Sequence, residues 1–439
     1  MPRRLPPPRA GSASPATPAN QWARGAVVGA AASVGAASLS FGLSSAAAAY
    51  FARQVVVPPR YRSEDLPILG IVRAGAEGDA SAATLVKLPA TVDTTVAGTY
   101  SLRFDAGRGH ARIGAIRSWS PGEGTVTRVV EEVYSGELSR ATRGFWSGSV
   151  YPDPGAAGLP FEDVVIPIEV GPAPCWVVPA QGPPTPAGER PRVLPGPWAI
   201  MVHGRGANRM ETVRAVPVAR ELGLTSLLIS YRNDREAPPT HDFRYGLGFT
   251  EWKDVQTAIS YAKSRGATQI VLFGWSMGGA IALQTADLSF YRDDVAALVL
   301  TGPVVDWFEL IAHHSRSRGI PAAIGRLATN LISHRAGRVL TGLAAPVDLK
   351  ALDWLSRADH LRTPALVLHS LDDEFVPAAG SRRLAELNPL VEFVPFTRAR
   401  HTKEWNVDPH RWEEAVRRWL PRRLAEDARA AGGLGALGG

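Results

Sequence analysis

Between the apolar run Ile270–Phe273 and the helical run Ala280–Ala286 the chain reads Gly274-Trp275-Ser276-Met277-Gly278-Gly279. A serine with glycine two positions to either side, entered from a buried strand and left into a helix, defines a turn so tight that a side chain at 274 or 278 would strike neighbouring backbone. The turn lifts the Ser276 hydroxyl to the top of a sheet. It also leaves the Met277 backbone N–H at a helix N-terminus, where a developing negative charge can be held. No other G-x-S-x-G occurs in the sequence. A chain organised around this turn needs a largely parallel sheet covered by helices, and from Phe161 onward strands and amphipathic helices alternate accordingly. Val164–Val170, Cys175–Val178, Trp198–Val202, Ser226–Ser230, Ile270–Phe273, Ala296–Leu300, Ala365–His369 and Val391–Val394 are the expected eight strands, with helices at Asn208–Leu222, Thr250–Arg265, Gly279–Asp287 and Pro409–Ala428.

A serine hydroxyl is a weak nucleophile at neutral pH, so it needs a general base, and the base needs a carboxylate to orient it. In this topology the acid follows the serine and the base comes last. Ser370-Leu371-Asp372-Asp373-Glu374 leaves the C-terminal end of a predicted strand, where sheet active sites are assembled; Asp373 is the chosen acid and Asp372 the alternative. Downstream lie His401, in a loop after Val391–Val394, and His410, beside Pro409 at the start of the last helix. A base belongs in the loop, so His401 is chosen and His410 is read as a surface residue. The second oxyanion donor is expected from His203-Gly204-Arg205-Gly206, through the Arg205 N–H. His203 is read as structural, while Arg205 and Glu211 are candidates for touching substrate. His313-His314 has no acid or thiol at metal spacing, and neither a metal nor an organic cofactor is expected.

These motifs together, His203-Gly204-Arg205-Gly206, Gly274-Trp275-Ser276-Met277-Gly278, His369 through Pro377 and the loop at His401, resemble the α/β-hydrolase superfamily over residues 160–425. Within it the chain is similar to membrane-associated or exported actinobacterial hydrolases of serine aminopeptidase-like or prolyl-oligopeptidase-like type, which share Pro303–Trp307, Leu352–Leu355 and His401–Asn406. The resemblance implies an α/β-hydrolase fold with a mostly parallel eight-stranded sheet, and it maps the acid onto Asp373. It also implies that the helical stretch 303–362 forms a lid; extra helices packed on the sheet edge are the alternative. The activity implied is an esterase-like or peptidase-like serine hydrolase; because no residues mark a carboxylate or amine clamp for peptide termini, a small-molecule or lipid-like ester is the expected substrate, with a serine peptidase as the alternative. A membrane-tethered binding or scaffold protein with a vestigial hydrolase domain is the reading from another class.

The formal net charge of +7 does not signal a nucleic-acid partner: residues 1–62 hold seven Arg and no Asp, Glu or Lys, so the rest of the chain is neutral on balance. Residues 1–24, rich in Pro, Ala and Arg, are expected to be a disordered basic tail. Residues 25–52 form a 28-residue stretch with no charge, long enough as a helix to cross a bilayer, though 11 of them are Ala. A single-pass membrane anchor is expected, with a cleaved export signal at Ala47-Ala48-Ala49 as the alternative and the orientation unreadable. Strand-like stretches at Thr84–Val92, Thr99–Phe104, Ala111–Ile116, Thr125–Val133 and Phe145–Val150 predict a small β-rich module over 61–158, without a catalytic motif. Residues 429–439 are expected to be a flexible tail. The lone Cys175 excludes an intramolecular disulfide, and the oligomeric state is not legible.

Overall fold

The computed structural model describes residues 44–59, 62–74, 83–182 and 193–435, with side chains as far as residue 429. It begins with helix α1 (residues 44–56). Two sheets follow, in separate halves of the chain. The first is antiparallel: β1 (Leu66–Pro67), β2 (Gly70–Ala74), β3 (Ala83–Pro89), β4 (Tyr100–Phe104), β5 (Gly109–Ser120), β6 (Thr125–Ser135) and β7 (Arg143–Ser147), in the order β1-β7-β4-β5-β6-β3-β2. The alternation of buried and open positions at the start of β6 is that of a sheet with one covered face. Val86, Leu88, Leu102, Phe104, Ile113 and Val126 form its core. The buried Arg128 braces that core, giving its guanidinium to the carbonyls of Thr94, Val96, Gly98 and Gly114 and stacking on Tyr100 and Trp146.

The second sheet holds β8 (Glu162–Ile168), β9 (Gly171–Val178), β10 (Gly196–Val202), β11 (Thr225–Leu228), β12 (Ala267–Trp275), β13 (Val295–Thr301), β14 (Ala365–Ser370) and β15 (Val391–Phe396). Their order is β15-β14-β13-β12-β10-β11-β9-β8. Pairing is parallel from β11 to β15, and β9 alone runs against both its neighbours. The central strands are buried on both faces, which is why they read as unbroken apolar runs. Successive residues of β10 divide between two cores: Trp198, Ile200 and Val202 face one, Ala199 and Met201 the other. Helix α2 (Val216–Glu221) lies in the second core, while α3 (Trp252–Ser264), α4 (Met277–Leu288), α5 (Trp307–Ser317) and α6 (Ala322–Ser333) supply the first. After α7 (Arg338–Thr341), α8 (Ala378–Leu387) joins the first core. Trp405 of α9 (Glu404–Val407) and Trp412, Val416 and Trp419 of α10 (Pro409–Gly435) join the second.

One expectation requires correction. The predicted membrane span of 25–52 fails over residues 44–52, because these belong to α1, whose Ala48, Phe51, Ala52 and Val56 are buried in the first core of the parallel sheet. Burial of Phe51 and Val56 there is worth about 2 kcal/mol each, and a helix so used cannot also face lipid. No helix among the described residues is long and apolar enough to cross a membrane; the tail 1–24 and residues 25–43 lie outside the described residues. Of the expected tail 429–439, residues 429–435 continue α10 as far as Gly435, and residues 436–439 lie outside the described residues. In the stretch 303–362, Trp307, Leu310 and Ile311 of α5 and Ala328 and Ile332 of α6 sink into the core, while His313 meets the Glu374 carbonyl and His314 packs on Phe375, beside His401.

Candidate active site

Ser276 takes φ 54° and ψ −117°, a left-handed conformation that a side-chain-bearing residue adopts only where its surroundings enforce it. The enforcing neighbours are glycines: a Cβ on Gly274 would lie 2.6 Å from the Gly278 carbonyl oxygen, and one on Gly278 would lie 2.1 Å from that of Val202. Ser276 Oγ donates to His401 Nε2 at 2.8 Å, and His401 Nδ1 donates to Asp373 Oδ2 at 2.6 Å. Asp373 is enclosed by donors. Its Oδ1 accepts the N–H groups of Phe375 and Val376, both at 2.9 Å, and its Oδ2 also accepts His369 Nε2 at 3.2 Å. Because His369 Nε2 also meets the Val376 carbonyl, which can only accept, that nitrogen carries the proton, and Nδ1 takes a bond from the Ser381 hydroxyl. Burial pushes the Asp373 carboxyl upward; His401 and the hydrogen bonds outweigh it and hold the acid well below the usual carboxylate range.

The loops carrying acid and base are fastened by the acids not chosen. Asp372 Oδ2 accepts the Arg398 N–H at 2.6 Å, and Glu374 pairs with Arg400. Both Arg398 and Thr402 have positive φ, so the loop that presents His401 is strained on either side of it. His410 is exposed at the start of α10. His203 is buried, stacked on Tyr231 and bonded to Asp234, out of reach of the chemistry.

The Met277 N–H stands at the start of α4, where no intrahelical partner exists. The Arg205 N–H lies in the turn after β10 and has no bonded acceptor among the described residues. Gly204 comes so close to the serine that its Cβ would sit 3.2 Å from Ser276 Cβ. The Arg205 side chain does not face substrate. It donates to the carbonyls of Gln54, Val55 and Val57 at 2.6–2.9 Å, closing the C-terminus of α1. Glu211 is likewise internal, accepting the Gly204 N–H at 2.8 Å and lying 3.5 Å from the Thr402 hydroxyl. It braces the turn at Gly204 against the base loop.

Several residues to which the sequence assigns no role complete the site. Asn406 Nδ2 donates to the carbonyls of Thr99 and Gly148, and its Oδ1 accepts the buried Arg214 at 2.5 Å, so the base loop is sewn to the antiparallel module. Lys403 pairs with Asp93 of that module. The module thereby closes a cavity of about 820 Å³ over Ser276 and His401, with Asp93, Arg103, Trp146 and Ser149 among its walls. Among the described residues no cluster could hold a metal ion.

Residues 250–341 match the family described as serine aminopeptidase, S33, and residues 72–147 match a domain of unknown function (DUF8805). Among solved structures the chain is similar to an esterase of Pyrococcus furiosus, at 16% identity over 61% of this chain and 95% of that one, with a TM-score of 0.44. It is similar to Est1E from Butyrivibrio proteoclasticus at 18% identity, over 60% and 99% of the two chains, TM-score 0.42. A thermophilic esterase from Thermogutta terrifontis matches at 20% identity, over 60% and 99%, TM-score 0.39.

Proposed function

We propose that this α/β hydrolase is a serine hydrolase that cleaves carboxylic esters through an acyl-enzyme on Ser276. The observation that carries the reading is the continuous relay from Ser276 Oγ through His401 to Asp373, at 2.8 and 2.6 Å, on a strained turn. Ser276 attacks the ester carbonyl while His401 Nε2 takes its proton, and Asp373 stabilises the imidazolium. The N–H groups of Met277 and Arg205 hold the tetrahedral oxyanion. His401 then protonates the leaving alkoxide, and a water activated by the same ring releases the acid.

The S33 match over residues 250–341 favours a second reading, an aminopeptidase. Such an enzyme must hold a substrate ammonium, and the cavity is poorly furnished for one: Asp93 is paired with Lys403 and Glu211 is spent on Gly204, leaving Asp65. Ester cleavage is the better supported. Attachment to, or export across, a membrane is proposed from residues 25–43 of the sequence alone.

The test is labelling of the full chain by a fluorophosphonate probe beside Ser276→Ala, followed by turnover of matched ester and amide substrates. Labelling confined to the wild type, with ester turnover exceeding amide turnover, is the expected result. A folded protein that takes no label sinks the nucleophile, and equal amide turnover moves the assignment to a peptidase.

A further inference from the structure

The cavity over Ser276 is lined by more positive charge than its own acids neutralise. Of its cations, Lys403 is paired with Asp93, and Arg205 is consumed by the α1 carbonyls. Arg62, Arg103 and Arg235 also line it, and among the described residues none of the three has a carboxylate in ion-pair contact. Arg103, on β4, reaches across to the turn that follows Arg205, with Nη1 3.7 Å from Met210 Sδ. Its other partners are the Gly107 carbonyl and His110, whose ring burial holds neutral, and its Nε is buried without an acceptor. Arg62 stands 5.6 Å over the ring of Phe145, beside it in the same wall. Arg103 and Arg235 line the same cavity, and burial, then the charge of Arg235, lowers the pKa of Arg103. Like charges gathered in a concave site, outnumbering the Asp65, Asp93 and Glu211 carboxylates that line it with them, oppose folding and raise the local concentration of an anion.

We infer that the antiparallel module is the substrate-binding wall of this enzyme, and that Arg62, Arg103 and Arg235 form a subsite for an anionic group, carboxylate or phosphate, carried by the ester substrate away from its scissile carbonyl. The inference rests on the reading of Ser276 as nucleophile. Planar guanidiniums suit both groups, which they bind in bidentate fashion. The same field disfavours a substrate with a free ammonium near the reacting bond.

The experiment compares nitrophenyl pentanoate with the mono-nitrophenyl ester of glutarate and the nitrophenyl ester of phosphonobutanoate, using the full chain. At least one anionic ester should exceed the neutral one by about tenfold in kcat/KM, the yield of one hydrogen bond between charged groups, chiefly through KM. Which ester gains more distinguishes carboxylate from phosphate. The ratio of anionic to neutral turnover should fall toward one in Arg235→Gln and Arg103→Gln, and Arg235→Lys should restore part of it. Fluorophosphonate labelling of each variant verifies an intact site, and the exposed Arg235 guards against loss of fold. No preference for either anion, or a preference unchanged in Arg235→Gln and Arg103→Gln, overturns the subsite. In Ser276→Ala, calorimetry with glutarate and inorganic phosphate reads binding without chemistry. Anion binding that Arg235→Gln weakens, in a protein whose wild type hydrolyses no ester, would sink the hydrolase reading and leave the subsite standing. Absence of binding there overturns the subsite.

Discussion

Both ring nitrogens of His203 meet acceptors: Nδ1 the Gly204 carbonyl at 2.9 Å and Nε2 Asp234 Oδ2 at 3.1 Å. A neutral imidazole could satisfy only one of them, so the ring carries both protons. Burial opposes that charge, but the Asp234 hydrogen bond and charge prevail, and the pKa is raised. A group whose pKa is higher folded than unfolded contributes stability that is full below the ordinary imidazole range and is lost as the pH rises through the folded-state value. Urea unfolding between about pH 6 and about pH 9 should therefore show a decline in the wild type that His203→Gln flattens. An unchanged slope in the variant would mean the ring is neutral. The sequence marks His203 as structural because it stands in a turn after a strand, but its protonation depends on Asp234, thirty-one positions later. The same limit explains which site residues were legible. Ser276, Asp373 and His401 each announce themselves by a position at the end of a strand, whereas Asn406 and Arg214 act through partners 192 to 307 positions away that no local pattern encodes.

The strands of the parallel sheet were legible because a strand buried on both faces has a composition that little else in a soluble domain shares. Helix α1 was misread for a related reason. A helix packed into a protein core and a helix packed into lipid both exclude charge, and an alanine-rich stretch suits close packing against a sheet-covering layer better than it suits insertion. Its docking explains why a guanidinium sits behind the expected oxyanion donor. Arg205 holds the carbonyls of Gln54 and Val55 in α1 and of Val57 just past it, Tyr245 N–H takes that of Val56, and Pro59 packs so closely on Gly206 that a Cβ there would lie 2.5 Å from its ring. Arg205→Ala should lower kcat for a neutral ester by about tenfold, a fraction of the hundredfold or more lost with a whole oxyanion donor, while KM stays close to the wild-type value. A change in KM alone would make Arg205 a binding residue and not a positioning one.

At the scale of the molecule, the antiparallel module supplies one wall of the cavity over Ser276, while the helical insertion meets the site through His314 of α5, whose ring packs on Phe375 beside His401. The module reads in sequence as short strands without chemistry. Its contribution arises from where β4 and β7 meet the base loop, and Asn406 is the main fastening. Asn406→Ala would remove the side-chain acceptor of the buried Arg214, free the Thr99 carbonyl and leave the Gly148 carbonyl to Arg214 alone. The expected loss is about 2 to 4 kcal/mol, seen in calorimetry as a lower Tm and a separation of module and hydrolase melting. Unchanged, single-step melting would show that the other contacts suffice. The seam at α1 has a mechanical meaning as well. The backbone that emerges from Arg205's grip runs along one helix to residue 44, so a pull on the chain ahead of that point is delivered to the turn where an oxyanion would be held. Any change that loosens α1 from the core is thus felt at that turn, through the carbonyls that the Arg205 guanidinium holds.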